Sequence, residues 1–264
     1  MLYYPQLESG AVSQFPVMRN MTMRTVANEL PSGFTIRMAD AGYQKVQWRL
    51  RYASLTDAER TALENLFEAS EGQLNTFTLL DPTANLLTWS EDWTQGVWTA
   101  DPLLEVTGGV ADPLGGNGGI QLTNTAQSTR QILQSTNGPS SYQYCFSVYV
   151  RSNASTAIAL LMSATGQTVV TQVMTMTAWT RVVTSGKLSV QADGIAFGVQ
   201  LPAGAQVNVF GAQVEAQPQA GVYKKTTDLG GVYANTRFSS DAITFASDAP
   251  DQSSGQIELI SNLN

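Results

Sequence analysis

The stretch GQLNTFTLLDPTANLLTWSEDWTQGVW, Gly72–Trp98, changes character in its middle. It begins as an alternating strand from Leu74 to Leu80, and after Asp81-Pro82 it becomes a tryptophan-studded run of turn residues. Proline has no amide hydrogen for a ladder and restricts the residue before it, so the pair stops the strand. Whether one domain runs through this point or ends there decides the fold.

The upstream side reads as a β-helix-β unit. In KVQWRLRY, Lys45–Tyr52, the residues Val46, Trp48, Leu50 and Tyr52 alternate with Gln47, Arg49 and Arg51, giving a strand with one buried and one basic face. In LTDAERTALENLFEASEG, Leu55–Gly72, Thr56 caps a helix and Glu59 occupies the reciprocal capping position. Leu63, Leu66 and Phe67 fall on one stripe, and Gly72 supplies the stop.

The downstream side reads differently. From Asn85 to Thr226 no helical period appears, and short strands alternate with Gly, Asn, Ser and Pro: CFSVYVRS, TAIALLMSA, TVVTQVMTMT, TRVVTSG, GIAFGVQL and QVNVFGAQVE. That pattern predicts a two-sheet antiparallel sandwich of the jelly-roll kind. The glycine cluster GGVADPLGGNGG, Gly108–Gly119, is followed by the strand-like IQLTN rather than by a helix, so it reads as a connection and not as a phosphate cradle. The tail holds VYANTRFSS, DAITFAS and GQIELISN, again strand-like and too short to bury a core of its own. Residues 1–82 and 227–264 are therefore expected to fold together as one α+β domain, a sheet or barrel with one short helix. Residues 83–226 are expected to form an inserted jelly roll between adjacent ends of it.

Composition limits the chemistry. Of 264 residues, 43% are hydrophobic and only 13% charged, and 14 basic against 21 acidic residues give a net charge of −7. No basic cluster stands out, which argues against sequence-specific nucleic-acid binding. No run of about twenty apolar residues and no signal-peptide pattern occurs, so a soluble protein without membrane insertion is expected. The chain has no histidine, which removes Ser-His-Asp and Cys-His catalysis and the commonest zinc sites. The single cysteine, Cys145, sits in an apolar strand and reads as a small buried hydrophobe. Asp92 and Asp112 are the carboxylates a glycosidase reading would use, and Asp101, Asp112 and Asn117 the oxygens a calcium reading would use. Neither spacing matches a defined motif, and turn formation accounts for both sets. No enzyme activity, no cofactor and no metal are expected.

Two segments resemble known families. VQWRLRYASLTDAERTALENLFEASEGQLNTFTLLDP, with the closing YANTRFSSDAITF and GQIELI, resembles the amino-terminal domain of distal tail and tail-hub proteins of long-tailed bacteriophages. NLLTWSEDWTQGVW, YCFSVYVRS, AWTRVV and VNVFGAQVEAQPQAGVYKKT resemble the carbohydrate-binding-module-like jelly rolls of phage tail proteins. The resemblance implies a virion structural protein assembled in the host cytoplasm. It would be a hexameric ring at the tail tip, contacting the tail tube protein and a tail-tip, hub or fibre protein, with a peripheral jelly roll that meets neighbouring proteins or a host surface glycan. The rival reading is a glycan-binding adhesin module acting as a monomer or small oligomer.

Candidate residues follow from both readings. A closed ring needs two complementary patches, and the basic face of Arg49 and Arg51, with Arg37 and Lys45 nearby, is a candidate partner for the acidic helix bearing Glu59, Glu64 and Glu68. An ordinary solvated strand face explains the same arginines. For sugar stacking the candidates are Trp93, Trp98, Tyr142 and Tyr144, with core packing as the alternative, whereas Trp89 and Trp179 read as packing residues.

Overall fold

The computed structural model describes residues 1–263, with Ala41 described by its backbone alone. Two compact units are present: one comprises Met1–Glu8, Ser13–Leu79 and the chain from Tyr233 onward, the other Ser9–Val12 and Leu80–Val232.

The first unit holds β1 (Gln14–Glu29), β2 (Thr35–Leu55), α1 (Asp57–Ala69), β3 (Phe77–Leu80), β14 (Val232–Phe238), β15 (Phe245–Ala249) and β16 (Gln252–Asn262), strands being numbered along the whole chain. They form a six-stranded sheet in the order β1-β2-β16-β14-β3, with β15 paired to β16. Val46, Trp48, Leu50 and Tyr52 of β2 are all buried, as their alternation predicts. The helix carries the expected capping box: the Thr56 side chain accepts from the Glu59 amide, and the Glu59 carboxylate accepts from the Thr56 amide. Leu63 and Leu66 are buried, Phe67 meets Phe238 edge-on at 5.0 Å, and Gly72 ends the helix with φ 64°. The strand expected from Leu74 begins only at Phe77. The Leu74 and Asn75 amides donate back to the Glu71 and Ser70 carbonyls, so the turn consumes these residues and leaves Leu74 61% exposed.

The second unit holds β4 (Trp98–Ala100), β5 (Leu104–Val110), β6 (Gly119–Asn124), β7 (Arg130–Asn137), β8 (Tyr144–Arg151), β9 (Thr156–Ala164), β10 (Gln167–Thr175), β11 (Thr180–Gly186), β12 (Gly194–Leu201) and β13 (Gln206–Glu215). They build two five-stranded sheets, β10-β9-β12-β7-β4 and β11-β8-β13-β6-β5, with antiparallel pairs throughout. One alternating set of side chains from each sheet fills the space between them. Phe146, Val148 and Val150 of β8, Leu160 and Met162 of β9, Phe197 and Val199 of β12 and Val209 of β13 are buried, and Phe197 packs against Tyr144 and Phe146 at 5.4 and 6.0 Å. The chain is thus mainly β, with one helix among the described residues and a jelly-roll-like antiparallel sandwich. Part of the glycine cluster belongs to the sheet: Gly108 and Val110 pair with Ile120 and Gly119, and only 111–118 remain as a connection.

Candidate functional site

Two surfaces invite a partner, one in each unit. The first is a ribbon that the sequence reading missed. β2 pairs with β16 from Lys45 to Leu55 and the Leu263 amide donates to the Gln44 carbonyl, but before Gln44 the strand paired with it among the described residues is β1. From Thr22 to Lys45 the two strands continue as a two-stranded ribbon, turning at Pro31-Ser32-Gly33, where the Leu30 amide bonds to the Phe34 carbonyl at 2.8 Å. Register places Val26 opposite Met38 and Asn28 opposite Ile36, and alternation adds Leu30 and Phe34 to the same face. The other face carries Thr25, Ala27, Glu29, Thr35, Arg37 and Ala39. One face is therefore apolar except at Asn28, and its side chains are uncovered, Phe34 being 67% and Met38 51% exposed. At the base of that face Arg24 is ion-paired with Asp40 and lies over the Tyr43 ring. An isolated two-stranded ribbon is marginal in water, and period-two amphipathicity is the pattern of a strand with one covered face.

The second surface is the outer face of the sheet β11-β8-β13-β6-β5. Register aligns Arg151 with Asn208, Asn208 with Gln121 and Gln121 with Thr107, and Trp179 flanks Arg151 from the residue before β11. The row Trp179, Arg151, Asn208, Gln121, Thr107 thus crosses all five strands, roughly 19 Å at the usual strand spacing. All five residues are at least partly exposed, and none is a carboxylate. The Arg151 guanidinium lies 4.8 Å from the Trp179 ring centre and donates one bond to the Ala111 carbonyl. A guanidinium with further N–H groups, two primary amides, a hydroxyl and an indole together provide donors, acceptors and a flat apolar surface. The neighbouring row, Arg181, Tyr149 and Phe210, is roofed by Tyr223, whose hydroxyl donates to Glu91 and shares a bond with Ser90. Burial, together with Glu91, pushes the Tyr223 hydroxyl well above the usual tyrosine range. Lys225 then pairs with Glu91 at 2.5 Å, which ties the roof down.

The expected stacking residues do not form this surface. Trp93 and Trp98 lie face to face at 4.2 Å, are 1% and 6% exposed, and donate their indole N–H groups to the Ser90 and Trp89 carbonyls. Tyr144 is fully buried, with its hydroxyl donating to the Pro139 carbonyl, and Tyr142 is half-buried in the adjoining turn. The rings of Trp93, Trp98 and Tyr144 fill the interior, where a sugar has no access. Trp179, read from the sequence as packing, is instead the aromatic member of the open row. The signal lay in the polar phase of the strands: Ser147, Tyr149 and Arg151 alternate with Val148 and Val150, and Asn208 with Val207 and Val209.

The ring-interface candidates all have partners within the chain. Arg49 donates to Glu258 on β16 at 2.7 Å and Arg51 to Gln256 at 3.3 Å. Glu59 accepts from the Thr56 and Glu8 amides, and Glu64 faces Arg60 at 3.7 Å. The counter-charge for Arg49 thus comes from its own sheet, and the helix carboxylates are engaged in capping and in a pair along the helix.

The remaining polar candidates are turn builders. Asp112 accepts from the Leu114, Gly116 and Gly118 amides, and Asp101 from the Gln131 amide. Burial pulls the Asp112 carboxyl upward, but these turn amides outweigh it and hold it below the usual carboxylate range. The Asp92 carboxyl is likewise held low, by the Thr94 hydroxyl and the Gln95 amide. A general acid at neutral pH requires the opposite shift. Cys145 is buried and its thiol is pushed up to about 11, chiefly by burial. Among the described residues no group of three or more Cys, Asp or Glu side chains is placed to hold a metal, and no helix is long and apolar enough to cross a membrane.

No protein-family model and no curated protein sequence matches the chain. Solved structures do resemble part of it. The CBM22-1 xylan-binding domain from Paenibacillus barcinonensis is 15% identical with a TM-score of 0.41, over 53% of this chain and 96% of that one. A carbohydrate-binding module of family 61, solved with β-1,4-galactotriose, is 15% identical with a TM-score of 0.38, over 49% and 97%. The enzymatically active domain of bacteriophage CBA120 tailspike protein 4 is 9% identical with a TM-score of 0.40, over 52% and 22%. Likeness at this level bears on no functional reading, and the two surfaces stand on their own residues.

Proposed function

We propose that the chain is a non-enzymatic structural protein that assembles into a ring through the first unit and presents the sandwich at its periphery, in the manner of a distal tail or hub subunit at a phage tail tip. The observation that carries this reading is the ribbon Thr22–Lys45, an amphipathic element whose apolar face is left uncovered by the described residues. Exposed apolar surface of this kind marks an interaction site. The test is light scattering of the full chain over a range of concentrations, beside a variant carrying Val26→Ser, Ile36→Ser and Met38→Ser. A species of about six subunits that the variant loses while keeping its circular dichroism supports the reading. A wild-type chain that remains monomeric at every concentration overturns it.

A second reading has its own observation. The row from Trp179 to Thr107 offers hydroxyl-binding groups and an aromatic ring without a carboxylate, which suits a neutral or acidic glycan. Binding on a glycan array that Arg151→Ala and Asn208→Ala abolish together supports it, and an array with no signal overturns it.

A further inference from the structure

We infer that the second unit carries an interface of its own: strand β10 pairs antiparallel with β10 of a second copy of the chain, about a two-fold axis at Thr171, and joins two β10-β9-β12-β7-β4 sheets into one. The contact stands apart from the ring reading above and does not depend on it.

The backbone supplies the first part of the argument. β10 ends its sheet, and β9 is the one strand paired with it among the described residues. The two strands meet through the two-residue turn Thr165-Gly166, Gly166 having φ 77°, in an unbroken register from Ala164 and Gln167 to Thr156 and Thr175. A two-residue turn closes on a hydrogen-bonded pair. Alternation then turns the amides and carbonyls of Gln167, Val169, Thr171, Val173 and Thr175 toward β9, and those of Thr168, Val170, Gln172 and Met174 toward the open edge. These last four residues are exposed, Val170 being 50% and Met174 53% exposed.

Edge strands in natural sheets are blunted by shortness, charge, proline or a bulge. The other three edges of the sandwich follow that rule. β4 has three residues, β5 carries Glu105 and a register break at Gly108–Val110, and β11 carries Arg181. β10 has none of these devices over its nine residues, and no residue from 152 to 180 is charged or a proline.

The sequence of β10 selects its own copy as the occupant. Its midpoint is Thr171, and a two-fold there sets Thr168 against Met174 and Val170 against Gln172, so every outward backbone group of the strand meets a partner. On the other face Val169 meets Val173 and Thr171 meets Thr171, β-branched pairs suited to neighbouring strands. Each copy has a net charge of −7, which drives copies apart, and the uncharged hairpin is where two of them approach without a like-charge pair. Such a contact uses one patch twice and closes on two chains.

The experiment oxidises full-length cysteine variants mildly and reads disulfide-linked dimer on a non-reducing gel; the native Cys145 is buried. Thr171→Cys alone should give dimer, because this position faces itself across the axis. Val169→Cys and Val173→Cys should each give at least ten-fold less alone and should restore the dimer when mixed. Adding Val170→Lys and Gln172→Lys to Thr171→Cys should lower the dimer at least ten-fold, since lysine then faces lysine across the axis, and both positions are exposed, so the fold is kept. No dimer from Thr171→Cys and none from the mixture overturns the contact. Equal dimer from Val169→Cys alone, or dimer that survives the lysines, overturns it as well.

Discussion

Gly198 shows how closely single residues are bound to the sandwich. A Cβ there would lie 1.8 Å from the Ile132 carbonyl oxygen on the neighbouring strand, a backbone group that has nowhere to move. Gly198→Ala should therefore destabilise the second unit by about 3 kcal/mol, in the range of an overpacked core, read as a lowered unfolding temperature while the ribbon variant leaves that transition in place. Asp92 provides a charge at the same scale. Its folded carboxyl is lowered from the usual 3.8 by the Thr94 hydroxyl and the Gln95 amide. A depressed folded value means the carboxylate stabilises the turn above the unfolded value and loses that contribution as pH falls through the folded one. A carbon-detected NMR titration should place its midpoint below 3.8, and Asp92→Asn should flatten the pH dependence of stability in that acid window.

Local physics and packing divide the credit differently from element to element. Helix α1 was legible because its start and stop are local: Thr56 and Glu59 satisfy each other's amides across one turn, and Gly72 takes the left-handed conformation at its end. Thr56→Ala should lower stability by about 1 kcal/mol, and adding Glu59→Ala should cost less than its effect alone, since the two act as one unit. Urea melts of the four proteins of that cycle check it. Strands β8 to β13 were legible because apolar runs alternate with turns. β4, β5 and β7 were not: β4 has three residues, and β5 runs into glycines that carry no side-chain period. The ribbon escaped for the opposite reason. Its alternation is real, but none of the described residues covers the apolar face that would give such a pattern meaning.

At the scale of the whole molecule, the two proposed readings assign separable duties to the two surfaces. Val26→Ser with Ile36→Ser and Met38→Ser should abolish assembly and leave any glycan binding unchanged, and Arg151→Ala with Asn208→Ala should do the reverse. Light scattering and a glycan array on the same four proteins provide the measurement. Loss of both properties in either variant would overturn this separation.

The sequence by itself determined the period-two strands, the capped helix, the break at Asp81-Pro82 and the absence of histidine chemistry, because each depends on residues a few positions apart. Only the tertiary structure decided which aromatic rings are open. Trp93 and Trp98 stack on each other and vanish into the interior, while Trp179 comes to the edge of a sheet beside Arg151. Exposure depends on neighbours brought from strands distant in sequence, as Asn208 and Gln121 are brought beside Arg151, and no local pattern encodes it. The same holds for the arginines of β2. Their alternation made a basic face plain, but it was the pairing of β16, more than 200 residues away, that placed Glu258 beside Arg49.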